Sequence, residues 1–233
     1  MLVERALGLV RRRLARPLLH GIRRPILVRR MRFTSEARLL GLRLRTEPGV
    51  FHPVYFSSSR ILAEHIVARA PRGLSLLDMG TGTGVIAIAA AAAGATVTAC
   101  DLNPHAVELA RANAALNDVT VEVVLSDLFA DPALAGRRFD LIVFNIPFYK
   151  TQPRTHLDLA FRAGTGFDAV RRFASGCRSR LADDGRVIIV FSEDCDHSET
   201  LGVFADAGLS LEYERVTRKD FELFSVACFR PKA

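Results

Sequence analysis

Three short stretches of the 233-residue chain carry groups spaced for chemistry. The first is Leu76-Leu77-Asp78-Met79-Gly80-Thr81-Gly82-Thr83-Gly84-Val85, an apolar run that breaks into alternate glycines. Such glycines let a backbone turn tightly and approach a ligand with no Cβ in the way. A helix starting near Gly84 presents unpaired N–H groups and a positive dipole end, suited to a carboxylate or phosphate. The second stretch ends at Asp101, 21 residues after Gly80, where a carboxylate can accept hydrogens from both hydroxyls of a ribose. Asp127 lies one strand further on. The third is Asn145-Ile146-Pro147-Phe148-Tyr149, directly after an apolar run. The Asn145 side chain and the Ile146 carbonyl offer hydrogen-bond acceptors there, with Phe148 and Tyr149 as flat rings beside them.

Each stretch also has a plainer reading. A glycine loop after a strand is a tight turn, Asp101 is a helix cap, Asp127 a loop carboxylate, and Asn-Ile-Pro-Phe a strand-ending turn with Phe148 in the core. The glycine spacing sorts among nucleotides. A dinucleotide loop of the form G-x-G-x-x-G/A would place Val85 at its third small position, and no G-K-[ST] of a P-loop is present. Metal chemistry has little to build on. Cys100, Cys177, Cys195 and Cys228 form no CxxC pair and read as reduced thiols. His52, His65, His105, His156 and His197 lack ligand spacing, though His52 and His156 flank the candidate motifs. Cys195-Asp196-His197 reads as a loop, because adjacent residues rarely point at one another.

The elements that would hold these groups alternate. Leu74–Asp78, Thr96–Cys100, Val119–Leu125, Asp140–Phe144 and Arg186–Phe191 read as buried strands. Helices follow from Gly84 through the alanine run, over Ala106–Asn117 behind Pro104, over Gly166–Leu181 and near Ser198–Ala207. Asp183-Asp184-Gly185 reads as a turn, and two strands near 210–217 and 221–230 close the chain. Ser57 or Ser58 is placed to cap a helix through Ile61 and Ile66. Repeated βα units predict an α/β fold with a mostly parallel sheet, helices on both faces and right-handed crossovers.

The D-x-G-x-G-x-G pattern, with Asp101 and Asp127 in register, is similar to the first motifs of Rossmann-like class I S-adenosylmethionine-dependent methyltransferases. Asn145-Ile146-Pro147-Phe148 resembles the N-P-P-Y motif of members that methylate planar nitrogen, and also the N-I-P-[YF] of rRNA adenine dimethyltransferases. From about Val50 to Phe229 the chain resembles the release-factor glutamine methyltransferase-like superfamily, including Val50–Pro53 and Phe56–Ser59 beside the cofactor and Gly166-Phe167-Asp168 before strand five. The resemblance implies a seven-stranded sheet and S-adenosyl-L-methionine held by Asp78, Gly80, Thr81, Gly82, Gly84, Asp101, Leu102, Asp127, Leu128 and Asn145. It implies catalytic roles for Asn145, Pro147 and Phe148, and an acceptor bound by Ile146, Phe148 and Tyr149. The substrate-gripping helical bundle of those enzymes is expected to be replaced by an arginine-rich arm. The sequence departs from N-P-P-Y at Ile146 and Phe148, so the acceptor stays open: a protein glutamine amide, a base amine, or a small molecule of specialised metabolism. A non-catalytic binding module on the same fold is the reading from another class.

Charge divides the chain at about residue 45. Residues 1–45 hold thirteen Arg against Glu4 and Glu36, a local excess of eleven; with +7 overall, the rest is acidic by about four. We therefore expect a basic helical arm over 1–45 and the methyltransferase domain over 46–233, with Arg43 to His52 reading as a strand and turn that breaks at Pro48-Gly49. Val3, Leu7, Val10 and Leu14 give the arm an apolar stripe. Three readings are open for it: a helix pair flanking the core, an RNA or ribosome contact, or an amphipathic helix on anionic membrane. With no long apolar span, the chain reads as cytoplasmic, peripheral to membrane or ribosome if the arm binds there.

Overall fold

The computed structural model describes residues 29, 33–69, 72–152, 158, 161–220 and 222–232. The stripe expected at Val3–Leu14 lies outside them. The strands are β1 (Ser35–Leu39), β2 (Leu42–Thr46), β3 (Ser75–Met79), β4 (Thr96–Asp101), β5 (Glu122–Leu125), β6 (Phe139–Asn145), β7 (Leu181–Ser192), β8 (Leu209–Lys219) and β9 (Glu222–Pro231). The helices are α1 (Ser57–Val67), α2 (Val85–Ala92), α3 (Pro104–Leu116), α4 (Asp168–Cys177) and α5 (His197–Asp206).

Seven strands form one sheet in the order β5-β4-β3-β6-β7-β9-β8, parallel except for β9. Because side chains alternate across a strand, each central strand feeds two cores. Leu76, Leu141, Val143, Ile188 and Val190 pack toward α1, α2 and α3. Leu77, Met79, Ile142, Phe144, Ile189 and Phe191 pack toward α4 and α5 with Phe167, Phe173 and Phe204. Burial on both faces is what the near-continuous apolar runs require.

The chain leaves β3 toward β4 on one side and returns to β6 on the other. The two strands pair in parallel, Met79 beside Phe144, so Gly80 and Asn145 emerge side by side at their carboxyl ends. This reversal of strand order opens a crevice, the place where open α/β sheets bind ligands.

Three local expectations are corrected. Residues 35–46, the end of the expected helical arm, form the β1–β2 hairpin, and the boundary at 45/46 falls inside β2. The turn at Asp183–Gly185 is absorbed into β7, whose register against β6 shifts between Phe139 and Leu141. Neither Ser57 nor Ser58 caps α1 through its side chain: Phe56 holds the cap position, Ser57 donates to Asp220, and Ser58 is buried without a partner.

Candidate active site at the β3–β6 crevice

Asp78 is wholly buried at the end of β3. Its Oδ2 accepts hydrogen bonds from the Thr81 hydroxyl at 2.7 Å and the Ala87 N–H at 3.2 Å, while Oδ1 has no partner. Burial pushes its carboxyl up to about 7, and the nearby Asp101 charge adds to the rise against those two bonds. Asp78 thus braces the glycine loop from below and ties it to the first turn of α2. Two glycines above it meet different surroundings. Gly82, at φ +56°, would point a Cβ at Val50 3.9 Å away, across open space in the crevice. Gly84, at φ +82°, would press a Cβ to within 3.2 Å of the Ala110 backbone of α3 and 3.1 Å of Ile88.

Asp101 closes β4. One carboxylate oxygen accepts the Gly82 N–H at 2.8 Å and the other the Asn103 N–H at 2.9 Å. Asn103 takes the capping role considered for Asp101: its side chain accepts from His105 N–H, with Pro104 in the first turn of α3. Asp127, after β5, receives Arg172 of α4 at 2.8 Å. The next residue, Leu128, holds a left-handed backbone at φ +54°, pinned where its carbonyl accepts the Ser126 hydroxyl at 2.7 Å. Asn145, at the tip of β6, donates its side-chain N–H to the Ser59 hydroxyl at 3.1 Å.

These groups surround a cavity of ≈ 230 Å³. Gly80, Thr81, Gly82, Asp101, Leu102, Asp127, Leu128, Asn145 and Pro147 line it. The other candidates sit elsewhere. Asp78 and Gly84 act below and behind the loop. Ile146 is buried in the α4-side core. Phe148 is half-buried against the cores on both faces. Tyr149 donates its hydroxyl to Asp194 at 2.9 Å and pairs its backbone with Phe161 and Ala163.

The wall also holds residues beyond the motif positions assigned to donor and acceptor. Val50, Phe51 and Ser59 come from the segment ahead of and within α1, and Ser126, Ala169 and Arg172 complete the far side. The Phe51 ring packs on Phe56 at 4.7 Å and Phe161 at 5.2 Å, so an aromatic group closes this end. The 50–59 stretch had a signal, its likeness to a cofactor-flanking element. Arg172 had none, since an arginine on the polar side of a helix looks like any solvated charge.

The remaining titratable candidates are accounted for by packing. His52 stacks on Tyr55 at 3.6 Å, and burial lowers its pKa to about 4. His197 pairs with Glu214 while Asp196 caps α5, so Cys195-Asp196-His197 forms no relay. His156 lies outside the described residues. Among the described residues no three His, Cys, Asp or Glu gather as metal ligands, all four cysteines are free, and no helix is long and apolar enough to cross a membrane.

Residues 41–208, which contain the whole crevice, match the methyltransferase small domain. The chain belongs to that family. It is an S-adenosylmethionine-dependent methyltransferase with the family's Rossmann-like fold. The methyltransferase is 32% identical over 187 residues to a Methanocaldococcus jannaschii protein named a protein N5-glutamine methyltransferase, covering 78% of this chain and 92% of that one. It is 35% identical over 168 residues to the release factor glutamine methyltransferase of Deinococcus radiodurans, covering 68% of this chain but only 56% of that one. Among solved structures, the ribosomal protein L11 methylase of Lactobacillus delbrueckii superposes with a TM-score of 0.56 at 26% identity, covering 74% and 78% of the two chains. A T. thermophilus 16S rRNA N2 G1207 methyltransferase shares the fold at TM-score 0.65 and 22% identity, over 86% of this chain and 50% of that one. The methyltransferase's crevice suits its donor. A Cβ on Gly82 would stand in the cavity, and an acid faces the loop from β4.

Proposed function

We propose that the methyltransferase transfers its methyl group to a planar nitrogen, first among them a protein glutamine amide. The observation that carries this is the Asn145–Ser59 bond. With its NH₂ committed to Ser59, Asn145 offers the cavity a carbonyl oxygen, the group that accepts hydrogens from an amide or amine. The two glutamine methyltransferases reported above support the amide over a base amine.

S-adenosyl-L-methionine, when bound, would supply an electrophilic methyl on sulfonium, its S–C bond giving way to the acceptor's N–C bond to leave a neutral thioether, with the nitrogen's proton released to solvent. The chain's own residues position. Gly80, Thr81 and Gly82 leave room for the aminoacyl and ribose parts, Asp101 accepts ribose hydroxyl hydrogens, and Asp127 and Leu128 face the adenine. Asn145 orients the acceptor nitrogen and stabilises the positive charge that grows there, while Pro147 stiffens the turn beside it. Phe51 and Phe144 are the rings that line the cavity and would wall a planar acceptor there.

The test uses labelled donor with separated protein, RNA and small-molecule fractions of a cell extract. Label is expected in protein, at glutamine. Asn145→Ala should keep donor affinity within about twofold and lower turnover by about 100-fold, the effect of removing one preorganised polar contact to a transition state. Label confined to small molecules, or unchanged turnover, defeats the reading.

A further inference from the structure

The β1–β2 hairpin is built in a way that its own stability does not ask for. Its inner face, Leu39, Leu42 and Leu44, is buried against the domain. Its outer face carries Glu36, Arg38, Arg43 and Arg45, all exposed. Arg38 and Arg43 stand directly opposite one another across the two strands. Like charges in that relation are destabilising, and among the described residues neither has an acidic partner.

The arginines are also held rigidly. Asn113 and Asn117, one turn apart on α3, act as a third strand for β2. The Asn117 amide accepts Arg43 N–H at 2.9 Å and donates to Arg43 C=O at 2.7 Å. The Asn113 amide does the same for Arg45, at 2.7 Å and 3.0 Å, and donates as well to Thr83 C=O of the glycine loop at 2.9 Å. Side chains ending in guanidinium forks are thus displayed from a fixed backbone wired to the donor loop. A hollow of ≈ 160 Å³ lies at the Arg38–Arg43 pair, bounded by Glu36, Ala37, Leu44 and Leu116.

We propose that this face binds the phosphodiester backbone of a nucleic-acid strand. Guanidinium forks match phosphate oxygens two at a time, and a phosphate between Arg38 and Arg43 would turn their repulsion into shared attraction. Residues beyond 45 are acidic by about four, so this charge is placed and not general. A membrane would want apolar groups among the arginines, and between Glu36 and Arg45 this outer face shows only Leu40, at the turn. Phe33, two-thirds exposed just before β1, adds a ring on which a base can stack.

The test is fluorescence anisotropy of the full chain with a labelled 20-nucleotide single-stranded RNA and its DNA counterpart, across salt. Arg38→Ser/Arg43→Ser should weaken binding by about 10-fold or more and flatten the log–log salt slope by about 1.4, the share of two phosphate contacts on a single strand. Thermal midpoint and donor binding should hold or rise, because a repulsive pair has been removed. Binding to either oligonucleotide that drops in this way supports the site. No binding at 50 mM salt, an unchanged slope, an equal loss of binding to poly-glutamate, or a loss confined to phosphatidylserine vesicles overturns it.

Discussion

On the β3–β4 side of the crevice, several bonds converge on the glycine loop. Thr81 N–H bonds Cys100 C=O at 3.0 Å, the Asp101 carboxylate gathers the Gly82 and Asn103 N–H groups, and the Asp78 carboxyl locks the loop to α2. On the β6 side the contacts join distant stretches of chain: Asn145 donates to Ser59, 86 residues away, Tyr149 to Asp194, and the Phe51 ring meets Phe56 and Phe161 at tilted angles. The donor half is therefore set before any ligand arrives, while the acceptor half depends on two distant segments docking correctly. Substitutions should sort accordingly: donor-half changes alter binding or fold, and acceptor-half changes alter turnover.

The largest effect should separate two glycines that are one residue apart. Both Gly82 and Gly84 have positive φ, so alanine at either costs about 1–2 kcal/mol in backbone conformation. Gly84→Ala must also push α3 away, adding about 1–3 kcal/mol of overpacking. We expect urea unfolding to show Gly84→Ala destabilised by about 2–5 kcal/mol in total, with its cavity intact. Gly82→Ala should lose less stability and more donor affinity, because its methyl occupies the ligand's space. If the two variants share one profile, the loop is a plain turn and the crevice is not its reason.

Next in size is Asp101→Ala. It removes the acceptor for two backbone N–H groups and, on the proposed role, for the ribose, so donor affinity should fall about 10- to 100-fold, the range for hydrogen bonds to a charged group. Titration calorimetry with S-adenosylmethionine, run beside Asn145→Ala, sharpens the contrast: a large change in the first and a small one in the second. Equal affinity in wild type and Asp101→Ala would refute its role.

The same contrast governs what could be read from sequence. The cavity lining on the β3–β4 side was legible because glycines and a strand-ending acid dictate where backbone goes, and backbone positions follow from strand order. The lining beside β6 was less so, because motif spacing says nothing about which way a side chain turns. Phe148 follows Asn145 by three residues yet packs into the cores, and Phe51, nearly a hundred residues earlier, takes the wall. The hairpin was hidden differently. Its second strand was legible in the alternation of Arg43-Leu44-Arg45-Thr46, but the arginine excess of the first 45 residues drew a helical reading over the first strand, Ser35–Leu39. Arg172 shows a third limit: its pairing with Asp127 is made across 45 residues by the sheet alone.

The smallest effect concerns Asp78, and it is a slope. Its carboxyl ionises near 3.8 in the unfolded chain and near 7 in the fold, so the folded state holds the proton more tightly. The stability this contributes is fully present below about 3.8, declines as pH rises toward 7, and is flat above. Its steepest possible decline is about 1.4 kcal/mol per pH unit. His52 and His65 act oppositely: burial lowers both to about 4, so their contribution is present above 6.5 and lost as pH falls toward 4. Between pH 4 and 6.5 Asp78 therefore offsets part of the acid sensitivity of the two histidines. Asp78→Asn keeps the shape and removes the proton, so the variant should lose stability in acid more steeply than wild type. The stability of wild type minus that of the variant, from urea midpoints at pH 4 to 8, should fall up to pH 7 and stay constant beyond. Parallel curves would mean that Asp78 is charged throughout, and that the loop on the donor side is braced by an ion and not by a neutral acid.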